Sequence, residues 1–188
     1  TTQSLNPYEM AFDLGYSRKL SEKFSMGVAF RYIYSDLGFS NSYAGDQTSG
    51  ASAFAADISG YYTTYPIVGR NECQWSLGFN ISNIGSKMSY NGGNEPAFLP
   101  TNLRLGTMFM FPLADYHSLA LSVDVNKLLV PAKPRLTDFE DQIAYEDALQ
   151  DWKDMSPIAG VFNSFTDAPG GAKEELREIN YSIGAEYN

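Results

Sequence analysis

The sequence has few of the residues on which catalysis and covalent stabilisation usually depend. Its 188 residues include one cysteine and one histidine. A single cysteine excludes an internal disulfide, and we expect Cys73 to be a small packed hydrophobe at the start of a strand. His117 falls at a short turn, with no serine and aspartate spaced around it as a triad would require. We therefore expect no enzymatic activity, no cofactor and no metal site.

Long apolar runs and excess positive charge are also absent. No stretch of 18 or more apolar residues occurs, so the sequence contains no transmembrane helix. The formal net charge of -9 argues against nucleic acid as a partner. Neither absence excludes a membrane protein, because a barrel strand carries its apolar residues at every second position and averaged hydropathy misses them.

The main feature that is present is alternation of apolar and polar residues with a period of two. It occurs in seven runs, which begin near Tyr8, Phe24, Ala55, Cys73, Asn102, Ser118 and Ile179. Each run has about ten residues, the length that a tilted strand needs to cross a bilayer. We expect the apolar members to share one lipid-facing surface: Met10, Phe12, Leu14, Met26, Val28, Phe30, Leu77, Phe79, Leu103, Leu105, Leu121 and Val123.

The connections between the runs alternate in length. Those at 19–23, 63–72 and 112–116 are short, and those at 38–52, 85–100 and 130–175 are long. Outer-membrane barrels have short periplasmic turns and longer extracellular loops, so this alternation predicts an antiparallel transmembrane β-barrel in an all-β protein. A soluble β-sandwich with one wet face is the alternative. The polar positions count against it, because they are mostly glycine, serine, alanine and asparagine.

Seven charged residues fall at polar positions of the runs, which would line the lumen of a barrel. They are Glu9, Asp13, Arg31, Asp57, Arg104, Asp124 and Glu186. Charges in a lumen pair with one another or with water, and they can tune what passes. We interpret them as a paired network that stiffens the barrel rather than as a substrate site.

The segment 130–175 breaks the period of two and predicts a long, partly helical extracellular loop within a single barrel domain that includes residues 1–188. The sequence TDFE at 137–140 matches a capping box, and Ser156-Pro157 is a second helix start. An insert this long is usually a lid, a plug or a binding surface. The candidate binding residues are its large apolar side chains: Phe139, Trp152, Ile158, Val161, Phe162 and Phe165. Packing over the barrel mouth remains the alternative role.

Several stretches resemble the PorV family (also called LptO) of the type IX secretion system of Bacteroidetes. They read AFDLGYS at 11–17, LGFNISNIG at 77–85 and FLPTNLRLG at 98–106. The most specific part is SPI at 156–158, followed by SFTDAPGG at 164–171 and EEL at 174–176, which looks like that family's long loop. The resemblance extends over nearly the whole chain.

The resemblance implies a FadL-like barrel in the bacterial outer membrane, with about 14 strands when complete, of which this chain would supply about seven as an internal piece of a longer protein. Such proteins bind the C-terminal β-domains of secreted cargo and pass them to the surface attachment complex. The implied partners are outer-membrane lipid, cargo, a PorU-type sortase and a Sov-type translocon. The alternative is a FadL-like channel for long-chain fatty acids or other hydrophobic compounds. An apolar lumen pocket would favour the channel, and apolar side chains exposed on the long loops would favour cargo binding.

Overall fold

A computed structural model describes residues 7–36, 50–90, 96–167 and 171–188. Its strands are β1 (Tyr8–Lys19), β2 (Phe24–Asp36), β3 (Ala51–Thr64), β4 (Ile67–Val68), β5 (Asn71–Glu72), β6 (Gln74–Gly85), β7 (Asn102–Ala114), β8 (His117–Leu128) and β9 (Asn180–Tyr187). Seven of them form one antiparallel sheet in the order β1-β2-β3-β6-β7-β8-β9, and β4 and β5 form a separate hairpin. The sheet is open, with β1 and β9 at its edges.

The strands confirm the seven runs of alternation. β1, β6 and β8 have 12 residues, β2 and β7 have 13, and β3 has 14. The largest difference is at β3, which begins at Ala51 rather than near Ala55. Ala51 and Ala53 are 2% and 1% exposed, and Ala53 belongs to a buried cluster with Ala55 and with Leu99 of the β6–β7 connection. Since alanine contrasts weakly with polar neighbours, the start of β3 lacks the apolar signal of the other strands.

The alternation of connection lengths is also present in the structure. Neighbouring strands are antiparallel, so the turns at 20–23, 65–73 and 115–116 share one end of the sheet, the short-turn end. The connections at 37–50, 86–101 and 129–179 share the other, the long-loop end. Most of the predicted long connection at 38–52 lies outside the described residues. An up-and-down order of strands with this alternation is the arrangement of outer-membrane barrels.

The register gives the sheet two chemically different faces. Pairs such as Phe12↔Tyr32, Phe79↔Leu105 and Thr107↔Val123 place the twelve expected lipid-facing residues on the same side, the apolar face. Phe12 is 67% exposed, and in the described ranges no second sheet packs on this face. Soluble monomers rarely expose an apolar patch that extends across a whole sheet, so the face indicates contact with a further apolar phase. The opposite side, the polar face, carries the seven charged residues named above.

The connection from β8 to β9 contains a 3-10 turn (Leu136–Asp138), α1 (Gln142–Asp154), α2 (Pro157–Asn163) and α3 (Ala172–Glu175). The helix start predicted from the capping box at 137–140 is wrong. The Thr137 hydroxyl lies 3.4 Å from the Asp138 carboxylate, Phe139 is extended, and α1 begins only at Gln142. The start at Ser156-Pro157 is confirmed, because the Ser156 hydroxyl accepts a hydrogen bond from the amide of Ala159 at 3.2 Å. None of the helices in the described part of the chain has the length and apolar character needed to cross a membrane.

Candidate functional site

The helical insert (residues 130–175) is fixed to the sheet through the β6–β7 connection. The rings of Phe98 and Trp152 meet edge to face, with their centroids 5.2 Å apart. Lys87 lies 4.2 Å from the centroid of the Phe98 ring and donates to the backbone carbonyl oxygens of Trp152 at 3.3 Å and Lys153 at 2.7 Å. These carbonyls lie in the last turn of α1, where helix acceptors lack intrahelical donors and the dipole favours a cation. Burial lowers the pKa of Lys87, and Asp154 opposes this effect.

The second helix uses the same support. The Trp152 indole N–H donates to the carbonyl oxygen of Pro131 at 3.2 Å. A Cβ on Gly160 would lie 2.7 Å from Cε1 of Phe98 and 3.2 Å from Cδ of Pro131. Glycine is therefore required for α2 to approach this closely. Both helices rest on Phe98 and Pro131, α1 through an aromatic ring and α2 through a residue with no side chain.

α2 exposes the side chains that an ordinary surface helix would bury. Gly160 and Ser164 are buried, Ser164 to 1% exposure. Ile158, Phe162 and Phe165 are 63%, 69% and 45% exposed. A helix that packs for stability turns its large apolar residues inward and its small or polar residues outward. The reversed orientation of α2 leaves an apolar surface without a partner among the described residues.

α1 has the ordinary orientation. Tyr145, Ala148, Leu149 and Trp152, spaced as one helix face, are half-buried. Glu146, Asp147, Asp151 and Asp154 are exposed. Phe139 is half-buried and meets the ring of Tyr145 edge to face at 6.1 Å.

The structure therefore divides the candidate binding residues into two groups. Phe139 and Trp152 pack within the insert or against the sheet, and Val161 is half-buried. Ile158 and Phe162 remain exposed on α2, and Phe165 in the turn that follows it. The small residues Gly160 and Ser164, four positions apart, were the signal in the sequence that could have identified the docked face of α2.

Lys127 anchors the end of the connection from β8 to β9, a role that the sequence analysis missed. It occupies an apolar-face position of β8, opposite Leu103, yet it is 6% exposed. Its ammonium group lies 2.8 Å from a carboxylate oxygen of Glu175 and 2.8 Å from one of Glu178. A buried charge is costly unless it is paired, so these contacts hold the segment before β9 against β8.

Asp167 ties the two ends of the insert together. Its carboxylate accepts a hydrogen bond from the backbone amide of Ala132 at 2.6 Å. Burial raises the pKa of Asp167, the hydrogen bond from Ala132 lowers it, and the nearby Glu175 and Glu178 raise it further. The net shift of the Asp167 pKa is upward, so the charged form of its carboxylate is disfavoured in the folded protein.

Three of the seven charged residues on the polar face form one network. The Arg31 guanidinium lies 2.6 Å from Asp13 and 3.5 Å from Asp57, and it also donates to Asn83. Asn83 has a φ of 59° at an irregularity in the β3–β6 pairing, and its amide donates to Asp57 at 2.7 Å. Its side chain donates to the carbonyl of Pro100 at 3.2 Å, which fixes the β6–β7 connection that supports the insert.

The other four charged residues are not part of this network. Glu9 accepts from the Ser35 hydroxyl at 3.0 Å, and Glu186 accepts from the Asn188 side chain at 3.0 Å. Arg104 and Asp124 line a hollow of about 310 Å³ over Gly78 and Gly106, whose walls also include Phe79, Leu105 and Met108. A second hollow, of about 490 Å³, is lined by Phe24, Gly60, Tyr62, Leu77, Phe79, Leu105, Val123 and Val125, mostly side chains of the apolar face. The hollow beside Arg104 and Asp124 therefore combines charged groups with apolar walls.

Cys73 and His117 are the two reactive residues considered in the sequence analysis, and both are engaged in packing contacts. Cys73 is 1% exposed, and the His117 ring stacks on Tyr187, whose hydroxyl lies 2.8 Å from Nδ1. Across the described ranges no three histidine, cysteine, aspartate or glutamate side chains are placed to hold a metal ion. The arrangement is suited to packing and docking.

Comparison with protein families finds a match. The family model described as type IX secretion system protein PorV matches residues 2–135, which is well over half of the chain. The matched region includes the strands from β1 to β8 and ends before α1. A search of curated proteins finds no match.

Proposed function

This chain belongs to the PorV family of type IX secretion system proteins, and we propose that it binds the C-terminal β-domains of secreted cargo at the cell surface. The family places it in the type IX system as an outer-membrane component. The finer proposal is that it receives cargo from a Sov-type translocon and passes it to a surface attachment complex that contains a PorU-type sortase. It has no catalytic step of its own in this scheme.

The proposed architecture is a closed FadL-like barrel of about 14 strands, to which this chain contributes seven. In the open sheet, every residue of β1 and nearly every residue of β9 is exposed. Unpaired strand edges are not tolerated in a bilayer, because their backbone groups cannot bond to water there. Further strands must therefore pair with both edges in the membrane. In the closed barrel, the apolar face would contact outer-membrane lipid and the polar face would line the lumen.

The observation that carries the proposal is the reversed orientation of α2. A folded cargo domain cannot enter a lumen lined by side chains, so it must be bound by exposed loops. Ile158, Phe162 and Phe165 supply an exposed apolar surface on the longest loop. A channel for hydrophobic compounds would instead need an apolar lumen, whereas the polar face carries the paired charges of Arg31, Asp13 and Asp57.

The experiment is to replace Phe162 and Ile158 by alanine in the intact protein in its own outer membrane. Truncating an interface hot spot costs about 2 kcal/mol or more, which is roughly a thirtyfold loss of affinity. We expect cargo to fail to reach the surface, and cargo recovery in pull-downs to fall, while heat-modifiable migration of the barrel stays normal.

The matched control replaces the exposed polar residues Asn163 and Thr166 of the same segment by alanine. These variants should secrete normally. If the Phe162 and Ile158 variants also place wild-type amounts of cargo at the surface, the insert is only a lid and the proposal loses its binding surface.

A further inference from the structure

We infer that the partner that docks on α2 presents an apolar patch bordered by lysine or arginine side chains. This inference rests on the proposed function and specifies the chemistry of the bound domain. It follows from the position of α2 beside α1, whose exposed side is acidic.

The two helices follow one another closely in the chain and share one support. α1 ends at Asp154 and α2 begins at Pro157. Both rest on the same support, since Trp152 contacts Phe98 and Pro131 and Gly160 lies against the same two residues. The last turn of α1 and the middle of α2 therefore lie close together on this support. A domain that covers the apolar side of α2 comes close to this end of α1, where Asp151 is exposed one residue before Trp152.

The exposed side of α1 carries carboxylates without ion-pair partners in the described part of the chain. They are Glu146, Asp147 and Asp151, whereas Asp154 acts on the charge of Lys87. Glu146 accepts a hydrogen bond from Gln142 at 2.9 Å, and this neutral donor leaves the negative charge in place. The only basic residue of α1, Lys153, is half-buried. An interface formed here brings several uncompensated negative charges to its rim.

The charge decides which class of occupant fits. An acidic domain or an anionic lipid surface would be repelled, and like charges brought together at an interface cost several kcal/mol. A neutral apolar domain would gain from α2 but would dehydrate the α1 carboxylates without compensation. A protein domain with basic side chains around an apolar patch satisfies both helices, and the carboxylates would then speed its approach.

The test measures association of the intact protein with a purified C-terminal β-domain from a secreted cargo protein of the same organism. Stopped-flow or interferometry gives the association and dissociation rates at low, physiological and high NaCl. We expect wild-type association to slow at least roughly tenfold from low to high salt, because a steered approach is screened. The triple variant Glu146→Gln, Asp147→Asn and Asp151→Asn should associate slowly at low salt and show little salt dependence.

Two further variants separate the contributions. Phe162→Ala should keep the wild-type salt dependence and dissociate roughly thirtyfold faster, as loss of an apolar anchor changes mainly the off-rate. A matched triple variant at the short-turn end, Glu22→Gln, Glu72→Gln and Asp115→Asn, removes the same number of exposed carboxylates and should behave as wild type.

The outcomes distinguish this inference from the proposed function. If Phe162→Ala weakens binding but the α1 variant associates at the wild-type rate at every salt concentration, or faster, the basic border is refuted and cargo binding stands. If the wild-type protein does not bind the domain at all, the proposed function itself fails.

Discussion

Replacing Trp152 by alanine should release the helical insert from the sheet while leaving the strands folded. The change removes the edge-to-face contact with Phe98, worth about 0.5–1.5 kcal/mol. It also removes the hydrogen bond to the Pro131 carbonyl, worth about 1 kcal/mol. Finally, it removes the contacts of the indole ring with the ammonium groups of Lys87 and Lys133, at 5.9 and 5.8 Å from the ring centroid, which together are worth about 0.5–1 kcal/mol. The sum is roughly 2–3.5 kcal/mol, or an increase of about thirty- to 300-fold in the local opening equilibrium.

Hydrogen exchange of the intact protein in detergent or lipid measures this opening. Amides of α1 and α2 should exchange faster by that factor, while those of β6 to β8 should not change, because locally stable units open separately. Phe162→Ala is the matched control, since Phe162 is exposed and should leave exchange unaltered. Unchanged exchange in α1 and α2 of the Trp152 variant would refute the assignment of Trp152 as the residue that docks the insert.

Three further predictions concern the sheet and the loop ends. Asn83→Gly keeps the left-handed backbone but loses the side-chain hydrogen bonds to Arg31 and Pro100, and Asn83→Ala adds about 1–2 kcal/mol of backbone strain to the same loss. The melting temperature should therefore fall from wild type to the glycine variant and further to the alanine variant. A wild-type melting temperature for the alanine variant would contradict this. Gly85→Ala would place a Cβ against the carbonyl oxygen of Phe54 and should impair assembly. Gly78→Ala, with no atom nearer than 3.9 Å, should assemble normally, and equal assembly of the two would contradict the register. Because the pKa of Asp167 is raised above 3.8 in the folded protein, its charged form costs stability at neutral pH and this cost disappears as the pH falls below about 4. Asp167→Asn keeps an acceptor for Ala132 and should make the insert more resistant to proteolysis at pH 7 but not at pH 4; lower resistance at pH 7 would show the carboxylate to be stabilising.

The strands could be predicted from the sequence because alternation fixes which face each residue occupies. The same reasoning explains where the prediction from the sequence failed. Ala51 and Ala53 are buried but small, so the apolar signal there is weak. At 137–140 a capping motif is present, but the helix begins later, at Gln142.

The candidate site could be predicted only in part, because docking depends on residues far apart in the chain. The aromatic content of 130–175 indicated a structured insert, and three of its apolar residues are exposed on α2 and the turn after it. Which aromatic residue packs inward is decided by Phe98, which belongs to the β6–β7 connection. The pairing of Arg31 with Asp13 follows from hairpin register, whereas the role of Asn83 follows from a local shift of register between Ala56 and Ile58. Periodicity alone does not reveal such a shift.

Trp75 and Trp152 offer the most direct test that the sheet lies in the membrane with the insert outside it. Trp75 is on the apolar face, paired with Phe109 and 40% exposed. In the intact protein reconstituted with phospholipids brominated on their acyl chains, we expect quenching of tryptophan fluorescence to fall when Trp75 is replaced by phenylalanine. Replacing Trp152 by phenylalanine should leave the quenched component unchanged. Quenching that is lost with Trp152, or that does not depend on Trp75, would contradict the placement of the apolar face against lipid.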